Sequence, residues 1–244
     1  MAGYASFAAF YDAVQGDRAD DADYARQIVE GARLEGTRLL ELACGTGSVL
    51  ARFRDRFEVV GVDLSQEMLD LAAAKLPGVR LVRGDIASVR LGETFDAVIC
   101  LYDSLNHLLR WEDWEAFLDT AVAHLEPGGV LVFDVNTPRR LAWLAEQRPV
   151  VQWFDGNLLV LDVADAGGGV VDWHLRVFER TGEQTYRLHF ETIPERGFPL
   201  ERIRDAARAR FRQVRVLDRQ RSRPTARSGR LWFVCRGPRA AGGA

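Results

Sequence analysis

A short glycine-containing turn between two apolar stretches is the feature that most constrains the fold of this 244-residue chain. The turn has the sequence Glu-Leu-Ala-Cys-Gly-Thr-Gly-Ser over residues 41–48, and an amphipathic stretch follows it. Gly45 and Gly47 remove side chains where the backbone must bend tightly. A helix that begins after such a turn presents free N–H groups and the positive end of its dipole. The pattern therefore predicts a strand, a tight turn and a helix arranged around a ligand.

A carboxylate at the end of the next apolar stretch is the second signal. Residues 57–62 read Phe-Glu-Val-Val-Gly-Val and are followed by Asp63, sixteen residues after Gly47. A carboxylate at the carboxyl end of a parallel strand can accept hydrogen bonds from both hydroxyls of a ribose. Together, the turn and Asp63 predict a nucleoside-binding crevice in an α/β fold.

Three departures distinguish this turn from a dinucleotide-binding fingerprint. That fingerprint needs a third small residue so that helix and strand pack closely, whereas Leu50 is large. Glu41 puts a carboxylate beside the turn, which would repel a pyrophosphate but suits a ligand with an ammonium group. Ala43 stands where a first glycine is usual and should restrict the geometry of the turn. A strand–helix turn without any ligand is the alternative interpretation.

Four motifs in a fixed order give the region from residue 38 to residue 135 a family resemblance. They are ELACGTG, VVGVDLS, VRGDI and FDAVICLYDSLNHL. In this pattern the chain resembles the class I S-adenosylmethionine-dependent methyltransferases. It is similar in particular to bacterial small-molecule members such as the amino-sugar N-methyltransferases of antibiotic pathways. Beyond Asn136 the resemblance is architectural only, so it says little about the substrate.

The resemblance implies S-adenosylmethionine as the cofactor, bound outside the carboxyl ends of the strands. Asp63 would take the ribose hydroxyls, Asp85 the adenine amine, and the Leu101 carbonyl the methionine ammonium. Leu64 and Met68 would pack against the adenine face. A local helix cap at Asp85 and a core position at Met68 are the alternatives. The predicted cofactor residues are Tyr11, Glu41, Ala43, Cys44, Gly45, Gly47, Asp63, Leu64, Met68, Gly84, Asp85, Ile86 and Leu101.

His107 and Tyr11 are the candidate catalytic residues. In the sugar enzymes that this chain resembles, a Tyr-Asp pair in the N-terminal helix and a histidine after strand four flank the reacting methyl, and Tyr11-Asp12 and His107 match those positions. Neutral histidine can accept the acceptor's proton near pH 7. A structural histidine in a turn and a core aromatic are the alternative roles. Tyr102 and Asp103 are expected to line the acceptor pocket, with Trp143, Trp153 and Trp173 as possible aromatic walls.

The composition is that of a globular protein without a membrane span. Apolar residues make up 48% and charged residues 27% of the chain, and no apolar run approaches the length of about 18 residues that a spanning helix needs. Cys44, Cys100 and Cys235 are too few and too widely spaced for a disulfide framework or a zinc site, and no other cluster has metal-ligand spacing. A cytoplasmic protein without a bound metal is the expectation.

Arginine accounts for nearly all of the positive charge. Lys75 is the only lysine among 32 basic residues, and eleven arginines fall between Arg202 and Arg230. Such a segment can indicate a phosphate-binding face. Because arginine is abundant throughout and the net charge is −3, a solvated face is favoured and nucleic acid is unlikely.

The periodicity predicts an α/β fold with a Rossmann-like, seven-stranded methyltransferase sheet, helices on both faces, and an inserted antiparallel β meander. The N-terminal helices, with aromatic residues at 4, 7, 10 and 11, and the cofactor-binding core are predicted over residues 1–136. The meander, as a lid or an oligomer interface, is predicted over 137–197. Completion of the core sheet is predicted over 198–237, and a disordered tail over 238–244. A break at residues 127–129 is expected to end the helix before strand five, which is predicted over 130–135.

Three functions fit these patterns. The first is methyl transfer to an oxygen or nitrogen of a small metabolite by an enzyme for which a homodimer is one expected assembly. The second is a tRNA- or rRNA-modifying methyltransferase that uses the arginine-rich segment. The third is a non-catalytic protein that binds S-adenosylmethionine and regulates another process. The sequence favours the first.

Overall fold

Alternating strands and helices build a seven-stranded sheet around the glycine turn. The computed structural model describes residues 7–16, 19–221 and 223–239. The strands are β1 Arg38–Leu42, β2 Glu58–Asp63, β3 Arg80–Arg83, β4 Phe95–Cys100, β5 Leu125–Asn136, β6 Val150–Phe154, β7 Asn157–Gly167, β8 Val170–Arg180, β9 Tyr186–Arg196, β10 Phe211–Leu217 and β11 Arg230–Pro238. The α-helices are α1 Ala8–Gln15, α2 Ala19–Glu30, α3 Leu50–Phe53, α4 Gln66–Lys75, α5 Trp111–Ala123, α6 Pro138–Ala145 and α7 Leu200–Arg210, and a short 3-10 helix covers Ser104–His107.

The strand order puts the glycine turn at a topological switch. The main sheet has the order β10-β11-β5-β4-β1-β2-β3. β1 is parallel to β2 on one side and to β4 on the other, whereas β11 is antiparallel to both of its neighbours. In open α/β sheets, ligands bind outside the carboxyl ends of the strands where the order reverses. The turn after β1 and the segment after β4 meet at this point.

Apolar side chains cover both faces of the main sheet. Along β1, Leu40 and Leu42 belong to a buried cluster that includes Trp114 of α5, whereas Leu39 belongs to a second cluster that includes Val29 of α2. Because successive side chains of a strand point to opposite faces, these clusters lie on opposite sides of the sheet. The predicted α/β fold with helices on both faces is confirmed.

The predicted meander forms a separate four-stranded antiparallel sheet in the order β6-β7-β8-β9. One face of this sheet packs against α1 and the residue before it. The buried members of that contact are Phe7, Phe10, Leu159, Leu175, Val177 and Ile193. The N-terminal helix therefore lies between the meander and the rest of the molecule.

Two elements differ from the sequence-based expectation. The break predicted at residues 127–129 lies inside β5, where the pairing of β4 with β5 shifts register between Phe95 and Ala97. A Cβ atom on Gly129 would lie 3.1 Å from the Asp96 carbonyl oxygen, so a glycine allows the irregular strand to continue. Helix α6 was not predicted, although its signals are present, since Thr137 caps it and Pro138 occupies its first turn.

The ends of the chain are described only in part. Strand β11 continues to Pro238, one residue past the predicted completion of the core sheet at residue 237 and into the first residue of the predicted tail. Residue Tyr4 of the predicted aromatic cluster and residues 240–244 of the predicted tail lie outside the described residues. In the portion that is described, no helix combines the length and the apolar character that crossing a membrane requires.

Candidate active site

Left-handed backbone at three positions shapes the glycine turn. The φ angles are 64° at Ala43, 51° at Gly45 and 74° at Gly47. A Cβ atom on Gly47 would lie 2.7 Å from Cδ1 of Leu76 and 3.2 Å from Cβ of Ala72, so a side chain there would push the turn away from α4. At Gly45 a Cβ atom would meet no neighbouring atom, so glycine is suited to this position because of its positive φ angle and not because of limited space.

Asp63 connects the end of β2 to the glycine turn. One carboxylate oxygen accepts a hydrogen bond from the Gly45 N–H at 2.8 Å, and the other accepts one from the Ser65 N–H at 2.9 Å. Burial raises the pKa of Asp63, and the N–H groups of Ser65 and Gly45 oppose that shift. The two predicted signals, the turn and the carboxylate, are therefore in direct contact.

A cavity of about 310 Å³, called the turn cavity here, opens beside the glycine turn. Six of the predicted cofactor residues line it, namely Tyr11, Glu41, Ala43, Cys44, Gly45 and Leu101. The Leu101 carbonyl already accepts a hydrogen bond from the Ser104 hydroxyl at 2.7 Å, and its second lone pair remains for a ligand. The structure thus brings together the residues predicted for the methionine end of the cofactor.

Glu41 gives the turn cavity a buried acceptor. Its side chain is 2% exposed, and its Oε2 atom has no hydrogen-bond partner among the described residues. Burial, and then the charge of Asp63, raise the pKa of Glu41 well above its ordinary value. Buried polar atoms are nearly always paired, so the orphaned oxygen fits a cationic ligand group such as the ammonium of S-adenosylmethionine.

The remaining predicted cofactor residues lie outside the lining of the turn cavity, and they are Gly47 in the turn, Asp63 and Leu64 at the end of β2, Met68 on α4, and Gly84, Asp85 and Ile86 after β3. Asp85 is exposed and accepts a hydrogen bond from the Ala87 N–H at 2.8 Å, which is the local capping role given as its alternative. Met68 is buried at 2% exposure, whereas Leu64 is 38% exposed. Gly84 and Ile86 flank Asp85 in the same loop. Contact of Leu64, Met68 and Asp85 with adenine stays a prediction.

Asp12 attaches helix α1 to the glycine turn. Its carboxylate accepts hydrogen bonds from the Thr46 hydroxyl at 2.6 Å and from the Lys75 ammonium at 2.7 Å, and Lys75 also donates to Ser48 at 2.7 Å. Burial alone would raise the pKa of Asp12, but these bonds lower it overall. The only lysine of the chain thus holds α1, and with it Tyr11, over the turn cavity.

The segment after β4 is held in a strained conformation by Asp134. Tyr102 and Asp103 have φ angles of 60° and 55°, a conformation that costs residues with side chains about 1–3 kcal/mol each. The fully buried Asp134 accepts hydrogen bonds from the Tyr102 N–H at 2.8 Å and the Asp103 N–H at 3.1 Å, and Arg230 donates to it at 2.6 Å. Sequence reasoning missed Asp134, although a carboxylate within the apolar residues 130–135 was a signal.

Asn106 connects three parts of the chain below this segment. Its side-chain nitrogen donates to the carbonyls of Asn136 and Arg196, both at 3.0 Å, and its side-chain oxygen accepts from the Asn136 N–H at 2.9 Å. The side chain of Asn136 in turn donates to Asp103 at 2.9 Å. The asparagine of the Ser-Leu-Asn-His segment thus ties the ends of β5 and β9 together.

His107 follows Asn106 and is partly buried. Its Nδ1 atom lies 3.3 Å from the Pro194 carbonyl oxygen of β9. Burial lowers the pKa of His107, and the charge of Asp103 opposes that shift. His107 is not among the residues that line the turn cavity or the two cavities described next. A catalytic role for His107 stays a prediction.

Two further cavities continue from the turn cavity toward the meander. The apolar cavity, of about 200 Å³, has Leu159, Leu175 and Ile193 among its walls and shares Tyr11, Gln15 and Tyr102 with the turn cavity. The polar cavity, of about 430 Å³, shares Asp103 and Trp173 with the apolar cavity. Asp103, Tyr102 and Trp173 thus line these spaces, as expected of an acceptor pocket. Trp143 and Trp153 are 47% and 63% exposed and line none of the three cavities, so the expectation for them was wrong.

Similarity to known proteins shows to which family this chain belongs. A family model described as a methyltransferase domain matches residues 39–129, which contain the glycine turn, Asp63 and the segment after β4. The putative methyltransferase YqeM of Bacillus subtilis (strain 168) is 30% identical over 238 residues, which cover 94% of this chain and 95% of that protein. This chain belongs to the methyltransferase family.

Two further similarities concern the cofactor and the acceptor. The dTDP-3-amino-3,4,6-trideoxy-alpha-D-glucopyranose N,N-dimethyltransferase of Streptomyces venezuelae is 37% identical over 119 residues, which span 48% of this chain and only 50% of that protein. The structure of SAM-bound CalS10, an amino pentose methyltransferase from Micromonospora echinaspora, matches with a TM-score of 0.73 and 28% identity over 97% of this chain and 98% of that one. The predicted S-adenosylmethionine-dependent methyltransferase is confirmed.

The left-handed conformation at Ala43 generates a first prediction. An alanine with positive φ costs about 1–2 kcal/mol, whereas glycine loses about 0.5–1 kcal/mol of chain entropy on folding. Ala43→Gly should therefore leave the free energy of unfolding unchanged or raise it by up to about 1 kcal/mol. Ala73→Gly, on the exposed side of α4, should lower it by about 0.5–1 kcal/mol. Urea denaturation of both variants measures the difference, and equal losses would contradict strain at Ala43.

Proposed function

We propose that this methyltransferase transfers a methyl group to the amine nitrogen of a small, sugar-like metabolite. The observation that carries the proposal is that the turn cavity and the apolar cavity share Tyr11, Gln15 and Tyr102. A cofactor in the first and an acceptor in the second would therefore meet at these side chains. The sugar N-methyltransferase relatives support nitrogen over oxygen as the reacting atom.

The chemistry asks the protein mainly for alignment. S-adenosylmethionine, when bound, supplies a methyl group that is attached to a positively charged sulfur. The sulfur is the leaving group and becomes a neutral thioether. Holding the acceptor nitrogen in line with that bond can supply about 7–11 kcal/mol of the barrier reduction. The walls of the apolar cavity would orient the acceptor and exclude water, and Tyr11, held in place through Asp12, would border both reactants. An acceptor that enters as an ammonium must also lose a proton before it attacks.

The activity is tested with the purified protein, S-adenosylmethionine and a panel of acceptors. The panel contains free amino sugars, nucleoside-diphosphate-linked amino sugars, the corresponding sugars with a hydroxyl in place of the amine, and transfer and ribosomal RNA. Release of S-adenosylhomocysteine with the amines alone supports the proposal. Release only with RNA, or with the hydroxyl compounds in preference to the amines, would refute it.

The arginine-rich segment gives little support to an RNA substrate. Arg204, Arg210, Arg219, Arg221 and Arg230 all form ion pairs with carboxylates of the chain. Another, Arg202, lies over the ring of Trp111, with its guanidinium carbon 4.2 Å from the ring centroid. Side chains engaged in this way have less charge to offer phosphates.

The apolar cavity beside the turn cavity favours an enzyme over a protein that only binds the cofactor, because it offers space for an acceptor. The cytoplasm remains the expected location.

Asp63 is proposed to bind the ribose of the cofactor, which leads to a second prediction. Asp63→Ala should weaken binding of S-adenosylhomocysteine by roughly 1–3 kcal/mol, because the hydroxyl pair would lose its acceptor. Titration calorimetry measures the change. Asp70→Ala, an exposed carboxylate on α4, is the matched control and should bind normally. Unchanged affinity in Asp63→Ala would remove Asp63 from the site.

His107 is proposed to take the acceptor's proton, the riskiest of the site assignments. His107→Gln should lower kcat by roughly 10²–10⁴-fold while the affinity for S-adenosylhomocysteine stays nearly constant. His174→Gln, a histidine of the meander that contacts Thr192, is the control. A loss of less than about threefold in His107→Gln would leave the histidine a structural role.

The pH profile tests the same residue independently. Burial lowers the pKa of His107 below its ordinary value of 6.5, so the neutral, proton-accepting form persists to lower pH than in free histidine. As pH falls through that lowered pKa, protonation removes the acceptor lone pair and kcat should decline. The acid limb should therefore lie below pH 6.5 and be absent from the residual activity of His107→Gln. An identical acid limb in both proteins would contradict the assignment.

A homodimer is proposed through the outer face of the meander, opposite α1. Strand pairing aligns Trp153, Leu158, Phe178 and Leu188 in one row, with Val151, Val160, Arg176 and Phe190 in the next. Of these, Val151, Trp153, Leu188 and Phe190 are each more than half exposed. An apolar face of this extent is typical of an interaction surface, and two such sheets can pack face to face.

The double variant Leu188→Glu/Phe190→Glu tests the dimer. Light scattering coupled to gel filtration should give twice the chain mass for the wild type and the chain mass for the variant, because four charges would be buried in the interface. Leu71→Glu, which changes an exposed leucine on α4, should remain dimeric. A monomeric wild type would contradict the proposal.

A further inference from the structure

Two carboxylates from distant parts of the chain meet in the lining of the apolar cavity. Glu195, on β9, and Asp103, after β4, both line that cavity. Glu195 is only 4% exposed, and its carboxylate lies against Asp103, Asn136 and Trp173. Its Oε2 atom nevertheless makes no hydrogen bond of acceptable geometry to any described residue, and neither does Nε1 of Trp173. The cavity thus contains unsatisfied polar atoms at one end.

Unsatisfied atoms in such a position indicate a ligand group. Buried polar atoms in folded proteins are nearly always hydrogen-bonded, since leaving one unpaired costs about 1–3 kcal/mol. Burial, followed by the neighbouring charge of Asp103, raises the pKa of Glu195 well above its ordinary value. A cation placed between the two carboxylates would offset both effects, because it would supply N–H donors and opposite charge.

The nearest protein cation satisfies only one side of this pair. Arg230 pairs closely with Asp134, and its approach to Asp103 is 3.9 Å. No contact of Arg230 with Glu195 is present among the described interactions. The described ion pairs therefore place no protein cation on Glu195.

We propose that Asp103 and Glu195 recognise the amine of the methyl acceptor, which binds between them as an ammonium, and so select amines over alcohols. This inference rests on the proposed function and extends it by naming the residues that choose the reacting group. The pair lies close to the turn cavity, because Tyr102 directly precedes Asp103 and lines both the turn cavity and the apolar cavity. An amine held there would lie at the side of the apolar cavity nearest the cofactor.

The other walls define the body of the acceptor. Phe7, Leu159, Leu161, Leu175 and Ile193 give the cavity an apolar surface. A hydroxyl buried against such side chains without a partner costs roughly 1–3 kcal/mol, so a fully hydroxylated ring would bind poorly. The acceptor is therefore a compact amine whose ring carries few hydroxyls.

Binding of two matched probes tests the pair without relying on turnover. The probes are cyclohexylamine, a cation at neutral pH, and cyclohexanol, which has nearly the same shape. Their dissociation constants are measured by ligand-observed NMR on protein saturated with S-adenosylhomocysteine. The wild type should bind the amine at least about tenfold more tightly than the alcohol, and Glu195→Gln should abolish that preference. Asp172→Asn, which changes a carboxylate on β8 that lines none of the three cavities, should keep it.

A second variant, Asp103→Asn, keeps the test decisive if Glu195→Gln fails to fold. Asp103→Asn preserves the shape of the side chain, and asparagine tolerates the left-handed backbone found at this position. It should also lower the preference for the amine, and with an accepted amine substrate both variants should raise KM more than they lower kcat. Equal binding of amine and alcohol by the wild type, no binding of the amine, or unchanged preference in both folded variants would overturn the inference.

The outcomes also separate this inference from the proposed function. If the enzyme methylates amines but both variants keep the wild-type KM and preference, the function stands and the pair is not the recognition site. If the wild type binds cyclohexylamine through the pair but transfers methyl groups only to RNA, the pair binds amines and the proposed function fails.

Discussion

The bonds that Asp134 makes to the segment after β4 are the constraint on which the rest of the site depends. Tyr102 and Asp103 are consecutive residues in left-handed backbone, and two N–H groups that donate to one buried carboxylate hold them there. Tyr102 borders the turn and apolar cavities, and Asp103 borders the apolar and polar cavities. Loss of the Asp134 bonds would release strain at both residues and change the shape of all three spaces.

The site combines a rigid core with parts supplied from elsewhere in the chain. The ends of β1, β2 and β4 supply the glycine turn, Asp63 and Leu101, as the Rossmann-like topology requires. Helix α1 is added through Asp12, which contacts Lys75 across 63 positions of sequence. The meander is added through Glu195 and the apolar wall of its inner face. In this arrangement the cofactor side is common to the fold, whereas the proposed acceptor side belongs to the added elements.

Sequence reasoning succeeded where a local pattern has a single structural solution. The period-two alternation of residues 171–179 and 186–191 predicted antiparallel strands, and β8 and β9 pair in that way. It failed where tertiary contacts override local signals. Residues 127–129 were expected to separate the helix from strand five, yet pairing of Leu125 and Val130 with β4 on either side of them keeps them within β5. Asp134 was overlooked because a carboxylate in an apolar strand has meaning only once its partners are known.

The sequence by itself determined the fold class and the order of the elements, because apolar periodicity and the glycine turn act over a few neighbouring residues, and its resemblance to a known family indicated the cofactor. Only the tertiary structure decided which side chains meet at the acceptor side. Trp173 and Trp153 look equivalent in sequence, but one lines the apolar cavity and the other is exposed on the opposite face of the meander. Asp103 and Glu195 lie 92 residues apart and meet because β9 packs beside the segment after β4. Contacts of that separation arise from the packing of sheets, which no local pattern encodes.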